Sequence, residues 1–270
     1  ADLHLLLGRN RIHADGSFGK AGDRLNLDID APNLNLFGFG LTGYLKAQGF
    51  LSGDPAKLTA DLNLGTEILK IGSESTSYSG TFDGQGHTIT IDWNVYGSDS
   101  YVALFPSVTN ATIKNLRTEG TIRSSGYYLS GLIDEATGEN TVTGCVSNVD
   151  LTSTYADNHC GAGGMVSYIG SNSRVDFTDC IVKGSIYAST DKGKTGMGGF
   201  VYGQNGTCTF TNCLYVGTNN ANTSSERINT FAHNATVTNC YYRNNCGRGQ
   251  GTQATEEQLR NGYVAAKLQG

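Results

Sequence analysis

The side chains with the most chemistry to offer in this 270-residue chain are its seven cysteines, and four of them recur in one phrase. Thr143-Gly144-Cys145, Thr178-Asp179-Cys180, Thr211-Asn212-Cys213 and Thr238-Asn239-Cys240 each put a thiol third, at spacings of 35, 33 and 27 residues. Thiols can pair as disulfides, ligate soft metals or attack as thiolates. An odd count leaves at least one unpaired within a monomer. The cysteines lack zinc-finger spacing and have no histidines at ligand offsets, which argues against a structural metal. An earlier copy, Ile113-Lys114-Asn115-Leu116, sits 29 residues before the first and carries Leu in the cysteine place. Near-regular spacing and a shared position favour an unbridged ladder of buried thiols, with Leu116 as an equivalent rung. Disulfides among some rungs are the alternative. Cys160, Cys208 and Cys246 lie outside the ladder, and Cys240 and Cys246 are close enough to close a small loop.

Acid–base chemistry has thinner support. Asp150, Asp157 and His159 form the one suggestive local group, while Asp176 and Asp179 flank a strand bend and read as structural. A glycosidase would need two carboxyl groups about 5 to 9 Å apart in a groove. His4, His13, His87, His159 and His233 are dispersed, so a metal site would need distant coils to gather them. Asp83, in Asp83-Gly84-Gln85-Gly86, reads as a turn residue; the repeated acids of an EF-hand are absent. The sequence therefore assigns no catalytic, cofactor-binding or metal-ligating residue, and it leans against an enzyme. In strands, Tyr127-Tyr128 and Tyr241-Tyr242 would each send one ring inward and one outward, the outward ring being free to meet a glycan.

A recurrence near thirty residues with variable insertions marks a stacked repeat. Each unit reads as two strands in series. The first carries Ala103-Leu104-Phe105, Gly131-Leu132-Ile133, Gly164-Met165-Val166, Gly199-Phe200-Val201 or Thr230-Phe231-Ala232; the second carries the cysteine phrase. Asn, Asp or Gly before each cysteine tolerates the left-handed region, so the strand is expected to turn a corner there and point the thiol inward. Gly120, Gly184 and Gly217, four places after Leu116, Cys180 and Cys213, are expected to close the coil with a turn. Thr81 to Ile91 (TFDGQGHTITI) fits the entrance, with Phe82 inward and His87 to Ile91 alternating as a strand. Such units bury their apolar sides by stacking. The expectation is an all-β, right-handed parallel β-helix (solenoid) over residues 58–250, preceded by a β-strand repeat segment over 1–57 that is either separate or continuous with it. Loops such as 152–160, 189–194 and 218–228 are the places for binding.

Charged residues are only 16%, and the formal net charge is −5 with no basic cluster. Nucleic-acid binding by phosphate neutralisation is therefore not expected. No apolar run reaches the length of a membrane span. The start lacks a basic leader and an initiator Met, as expected of a processed chain or a fragment whose export signal lies elsewhere. Asn110, Asn205, Asn222 and Asn234 head glycosylation sequons, but read more simply as turn residues. Thr255-Glu256-Glu257-Gln258 forms a capping box, opening a short C-terminal helix or linker over 251–270 with Gly262 as its weak point.

Leu58-Thr59-Ala60-Asp61, Ile71-Gly72 and Gly80-Thr81-Phe82-Asp83-Gly84-Gln85-Gly86-His87-Thr88-Ile89, followed by the cysteine coils, resemble the GLUG-repeat family of bacterial surface proteins from about residue 58 to the end. Where the family phrase ends in glycine, Asp134, Ser167 and Tyr202 stand here. The resemblance carries no catalytic residues or cofactor. It implies a non-enzymatic cell-surface or secreted module, an adhesin or a glycan or protein binder, attached to neighbouring domains. Gly8 to Gly53 is similar to one repeat of the TamB family, which implies an apolar β-groove for lipid handling or envelope biogenesis. A polysaccharide-active β-helix enzyme is the other alternative.

Overall fold

The structure is a computed structural model; it describes residues 2–20, 22–37, 45–52, 59–63, 70–96, 101–156, 160–222 and 228–269. Gly38-Phe39-Gly40, Leu41, Tyr44, Leu58, Gly65, Asp157, His159 and the far part of the 218–228 loop lie outside the described residues. The chain is all-β, a parallel β-solenoid of about five turns followed by two short helices.

A full coil has four strands rather than the two read from sequence. Glu139–Thr143 turns a corner at Gly144-Cys145 into Val146–Ser153; the chain then forms Ala162–Gly163, bends at Gly164-Met165 and runs through Val166–Ile169. Arg174–Thr178 begins the next coil. Equivalent strands pair in parallel, giving four sheets along the stack. Two of the four strands were missed because each is only a few residues long or buries alternate residues without an apolar run.

The register is set by side-chain ladders. Phe82, Ile113, Val142, Phe177, Phe210 and Val237 align across the cysteine-bearing sheet. Phe177 and Phe210 stack with ring centroids 4.7 Å apart, and Phe200 lies edge-on to Phe210 at 5.4 Å. Such contacts add about 0.5–1.5 kcal/mol each beyond simple burial. Leu104, Leu132, Met165, Phe200 and Phe231, the middle residues of the first-strand phrases, are all buried. A Cβ on Gly164 would lie 2.1 Å from the Gly199 carbonyl oxygen, so coils approach too closely there for any side chain. Interior hydroxyls satisfy buried carbonyls at these bends: Thr118 donates to Gly131 O at 2.9 Å and Ser147, one coil on, donates to Gly164 O at 2.7 Å.

The corner before each ladder cysteine is left-handed in every coil, with φ of 54° at Asn115, 63° at Gly144, 56° at Asp179, 54° at Asn212 and 48° at Asn239. The expected bend is thus present, and its side chains bond from coil to coil: Asn115 to Asp83 at 3.1 Å, Asn212 to Asp179 at 3.2 Å and Asn239 to Asn212 at 2.8 Å. Asp83 also accepts from the Gln85 amide at 3.0 Å, the turn role expected of it. Asn110 and Asn234 are likewise left-handed turn residues. The glycines four places on do not close the coil. Gly120 sits inside the strand Arg117–Ser124, opposite Ile91, and a Cβ there would lie 2.0 Å from the Ile91 carbonyl oxygen. Gly184 meets Val149 in the same way, with strands on both sides of it.

Before the solenoid, β1 (Asp2–Leu7), β2 (Asn10–Gly16), β3 (Arg24–Ala31), β4 (Leu45–Ser52) and β5 (Thr59–Asn63) form an antiparallel meander. β5 then pairs in parallel with Thr88–Val95 through Leu62 and Ile89, so meander and solenoid share one sheet. One face of the meander carries Leu3, Leu5 and Leu7, which are exposed, and Leu25, Leu27 and Ile29, which are half-buried. At the other end Thr252–Gln253 still pairs with Tyr241–Tyr242. Beyond it, α1 (Glu256–Arg260) is opened by the capping box, with Thr255 Oγ1 accepting from the Gln258 amide at 3.1 Å. The expected single helix is broken at Gly262, whose φ is 80°, and resumes as α2 (Tyr263–Leu268). No helix among the described residues is long and apolar enough to cross a membrane.

Candidate functional site

All seven cysteines are buried and free. The ladder thiols donate inward to backbone oxygens, Cys180 to Val142 O at 3.3 Å and Cys240 to Thr238 O at 3.2 Å. Burial raises Cys180 well above the usual thiol range, and it pushes Cys160 up to about 11 and Cys208 and Cys246 up to about 12. Hydrogen bonding from the neighbouring Cys180 thiol draws Cys145 the other way, below the usual range. Cys213 is lowered as well, its burial outweighed by hydrogen bonds from its Cys180 and Cys240 neighbours. All seven are nonetheless sealed from solvent, and an inaccessible thiol neither attacks nor ligates. The most conspicuous chemistry in the sequence is therefore architecture.

The solvent-facing chemistry lies where tyrosines from successive coils come together. Tyr101 and Tyr128 pair across adjacent coils of one sheet, with ring centroids 5.7 Å apart. Tyr168, one coil further, lies 5.9 Å from Tyr128. Tyr127 packs edge-on to Tyr128 at 4.5 Å and to Tyr155 at 5.3 Å. Tyr127 and Tyr128 are both half-buried in this outer cluster, which corrects the expectation of one ring inward and one outward. Tyr127 precedes the strand Tyr128–Ser130, so strand alternation does not govern it. Tyr241 and Tyr242 are both half-buried too, with Tyr242 packed against the core.

Tyr127, Tyr128 and Tyr168 line a cleft of about 370 Å³ together with Tyr202, Gly203, Gln204, Asn205 and His233. Asn205 donates to the Tyr168 hydroxyl and Gln204 donates to the His233 carbonyl, holding the polar groups in place. Burial pushes the Tyr128 phenol up to about 12 and raises Tyr202 still further, so both remain neutral hydrogen-bonding groups at neutral pH. A second depression of about 300 Å³ is lined by Lys70, Ser73, Glu74, Ser75, Tyr101 and Pro106, and its Tyr101 ring lies 5.7 Å from Tyr128 of the first. Lys70 is fixed there by donating to Tyr101 O at 2.8 Å. The ring row Tyr101, Tyr128 and Tyr168 runs from one depression to the other as a shallow groove, with Glu135 nearby, its carboxyl raised by burial and by neighbouring Glu74.

Beneath the groove runs the column in which Asp134, Ser167 and Tyr202 replace the expected glycine. Each follows the first paired residue of its strand, Ile133, Val166 or Val201, so the three stack coil on coil. Asp134 is fully buried, and burial pushes its carboxyl up to about 8. Its Oδ1 lies 2.9 Å from Ser167 Oγ, while its Oδ2 has no hydrogen-bond partner of good geometry.

The acid–base group expected around Asp150 is not assembled among the described residues. Asp150 accepts from the Ser185 amide at 2.8 Å and the Ser185 hydroxyl at 2.7 Å, a coil-to-coil brace; Asp157 and His159 lie outside the described residues. Asp176 is held by Arg174 at 2.9 Å. The histidines depart from expectation. His233 lines the tyrosine cleft, and His4 and His13 are brought together by the β1–β2 hairpin, without any distant coil. Tyr168 and Tyr202 were missed as site residues; their place two and one positions beyond the Gly164-Met165-Val166 and Gly199-Phe200-Val201 phrases was the available signal. No family model matches the chain, and no curated protein matches it in sequence.

Proposed function

We propose that this chain is a non-enzymatic β-solenoid module of a bacterial cell surface or secreted protein, and that it binds an extended glycan along the tyrosine groove. The observation that carries this reading is the row Tyr101, Tyr128 and Tyr168, one ring per coil at 5.7 and 5.9 Å. Tyrosine offers a rigid apolar face to the C–H side of a sugar ring and a hydroxyl to its polar edge. Asn205, Gln204 and His233 add polar groups at one end, which suits a ligand that is flat, hydroxylated and repetitive. The GLUG-like phrases support a surface setting. Among the described residues, the lining of the tyrosine cleft carries no carboxylate, which favours binding over bond cleavage.

The test is a screen of the full chain against immobilised oligosaccharides, followed by titration of the best one. Tyr128→Ala and Tyr168→Ala should each weaken binding at least tenfold, while Tyr263→Ala on the remote α2 leaves it unchanged. Absence of glycan binding at millimolar concentration, or equal affinity in the groove variants, would overturn the proposal.

A further inference from the structure

The β1–β2 hairpin sets His4 directly opposite His13 and Asp2 opposite Asp15. Residues two apart on a strand share a face, so Asp2, His4 and His13 project from the same side of the sheet. The two imidazoles stack with centroids 4.3 Å apart and planes within 8°. Both turn Nε2 toward a single carboxylate oxygen, with Asp2 Oδ1 at 2.8 Å from His13 and 3.3 Å from His4. A simple carboxylate–imidazole hydrogen bond needs one ring; here two converge on one oxygen. The candidate ligand atoms of all three residues lie within 4.8 Å of one another. A tetrahedral zinc ion with bonds of about 2.0–2.1 Å holds its ligand atoms roughly 3.4 Å apart, so small side-chain rotations on an exposed face are enough to reach that geometry. The same face opens onto a depression of about 290 Å³ bordered by His4, His13, Asp28, Asp30 and Arg11, the last paired opposite Asp30. Asp28 stands opposite His13 on β3, adding negative charge beside the cluster.

We propose that Asp2, His4 and His13 form a binding site for a divalent transition-metal ion of the zinc class, with its remaining positions open to water or an outside ligand. Two neutral imidazoles and one carboxylate match borderline ions such as Zn²⁺. Calcium and magnesium favour all-oxygen sets, and the buried thiols are too remote from solvent to compete.

The test is calorimetric titration of the full chain with Zn²⁺ alone at neutral pH. One ion per chain should bind; His4→Ala or His13→Ala should weaken binding at least tenfold, Asp2→Asn should weaken it measurably, and His87→Ala should leave it unchanged. All three altered residues are solvent-facing, so circular dichroism of the variants should match the parent. In the unaltered protein, Zn²⁺ should shift the ring resonances of His4 and His13, and Co²⁺ should give visible ligand-field bands without sulfur-to-cobalt charge transfer. No binding, binding indifferent to His4 and His13, or a sulfur charge-transfer band would each overturn the assignment.

Discussion

Ser167 Oγ and Asp134 Oδ1 lie 2.9 Å apart across consecutive coils, and both residues are fully buried. The serine hydroxyl also accepts from the Leu129 amide at 3.0 Å and lies 3.0 Å from Gly161 O. One hydroxyl proton cannot serve two acceptors fully. A neutral Asp134 resolves this by donating to Ser167, which then donates to Gly161. That protonation state agrees with the carboxyl's shift up to about 8 by burial.

The shift has a defined pH consequence. The folded chain holds the Asp134 proton up to about pH 8, whereas the unfolded chain releases it near the ordinary value of 3.8. Between those limits the folded state binds more protons, so this group's contribution to stability falls as pH rises, by at most about 1.4 kcal/mol per pH unit. Asp134→Asn should abolish that slope and gain on the parent protein most at pH 8. Urea midpoints of both proteins at pH 5 and pH 8 check this; parallel pH dependence would show that Asp134 titrates normally.

Burial of the thiols predicts kinetic silence. A water-soluble disulfide reagent should leave all seven cysteines unmodified in the native state and label them together on unfolding. Cys180→Ala, which empties a rung between Cys145 and Cys213, should cost about 1–3 kcal/mol through lost contacts. Labelling of a ladder cysteine in the folded protein, followed by absorbance, would contradict the buried ladder.

The left-handed corner predicts an ordered substitution series. Asn212 has φ of 54° and accepts from Asn239. Asn212→Gly keeps the backbone free and loses only the side-chain bonds, costing about 1 kcal/mol. Asn212→Val adds the left-handed penalty for a branched residue, about 1–2 kcal/mol more. Denaturant midpoints should fall in the order Asn, Gly, Val.

Gly120 offers a sharper contrast. Its Cβ would sit 2.0 Å from Ile91 O, and its φ is 110°. Gly120→Ala should therefore destabilise by more than about 3 kcal/mol or prevent folding. Gly86→Ala, at a positive φ but with open space around it, should cost only about 1–2 kcal/mol. Thermal melts of the two variants would separate steric exclusion from backbone preference.

Much of the coil was legible because each rung repeats a residue type. The Thr-Asn-Cys phrase announces a strand, a left-handed corner and an inward thiol, since Asn, Asp and Gly tolerate that corner and a small sulfur side chain fits a packed interior. The same logic misread Gly120 and Gly184. A glycine that ends a coil and a glycine pressed by the next coil's backbone look alike in sequence, and only the neighbouring carbonyl tells them apart.

The sequence by itself determined the period, the ladder and the capping box, because each depends on residues close together or on a pattern repeated coil after coil. Tertiary structure alone decided the rest. Tyr128 and Tyr168 are 40 positions apart in the chain yet 5.9 Å apart in space, and the count of residues in the intervening loop sets which rings meet. His4 and His13 face each other only because the hairpin turns at Gly8-Arg9 and not one residue later; a slip of one would put the two imidazoles on opposite faces of the sheet. Register, which no composition encodes, is what turned scattered tyrosines and histidines into sites.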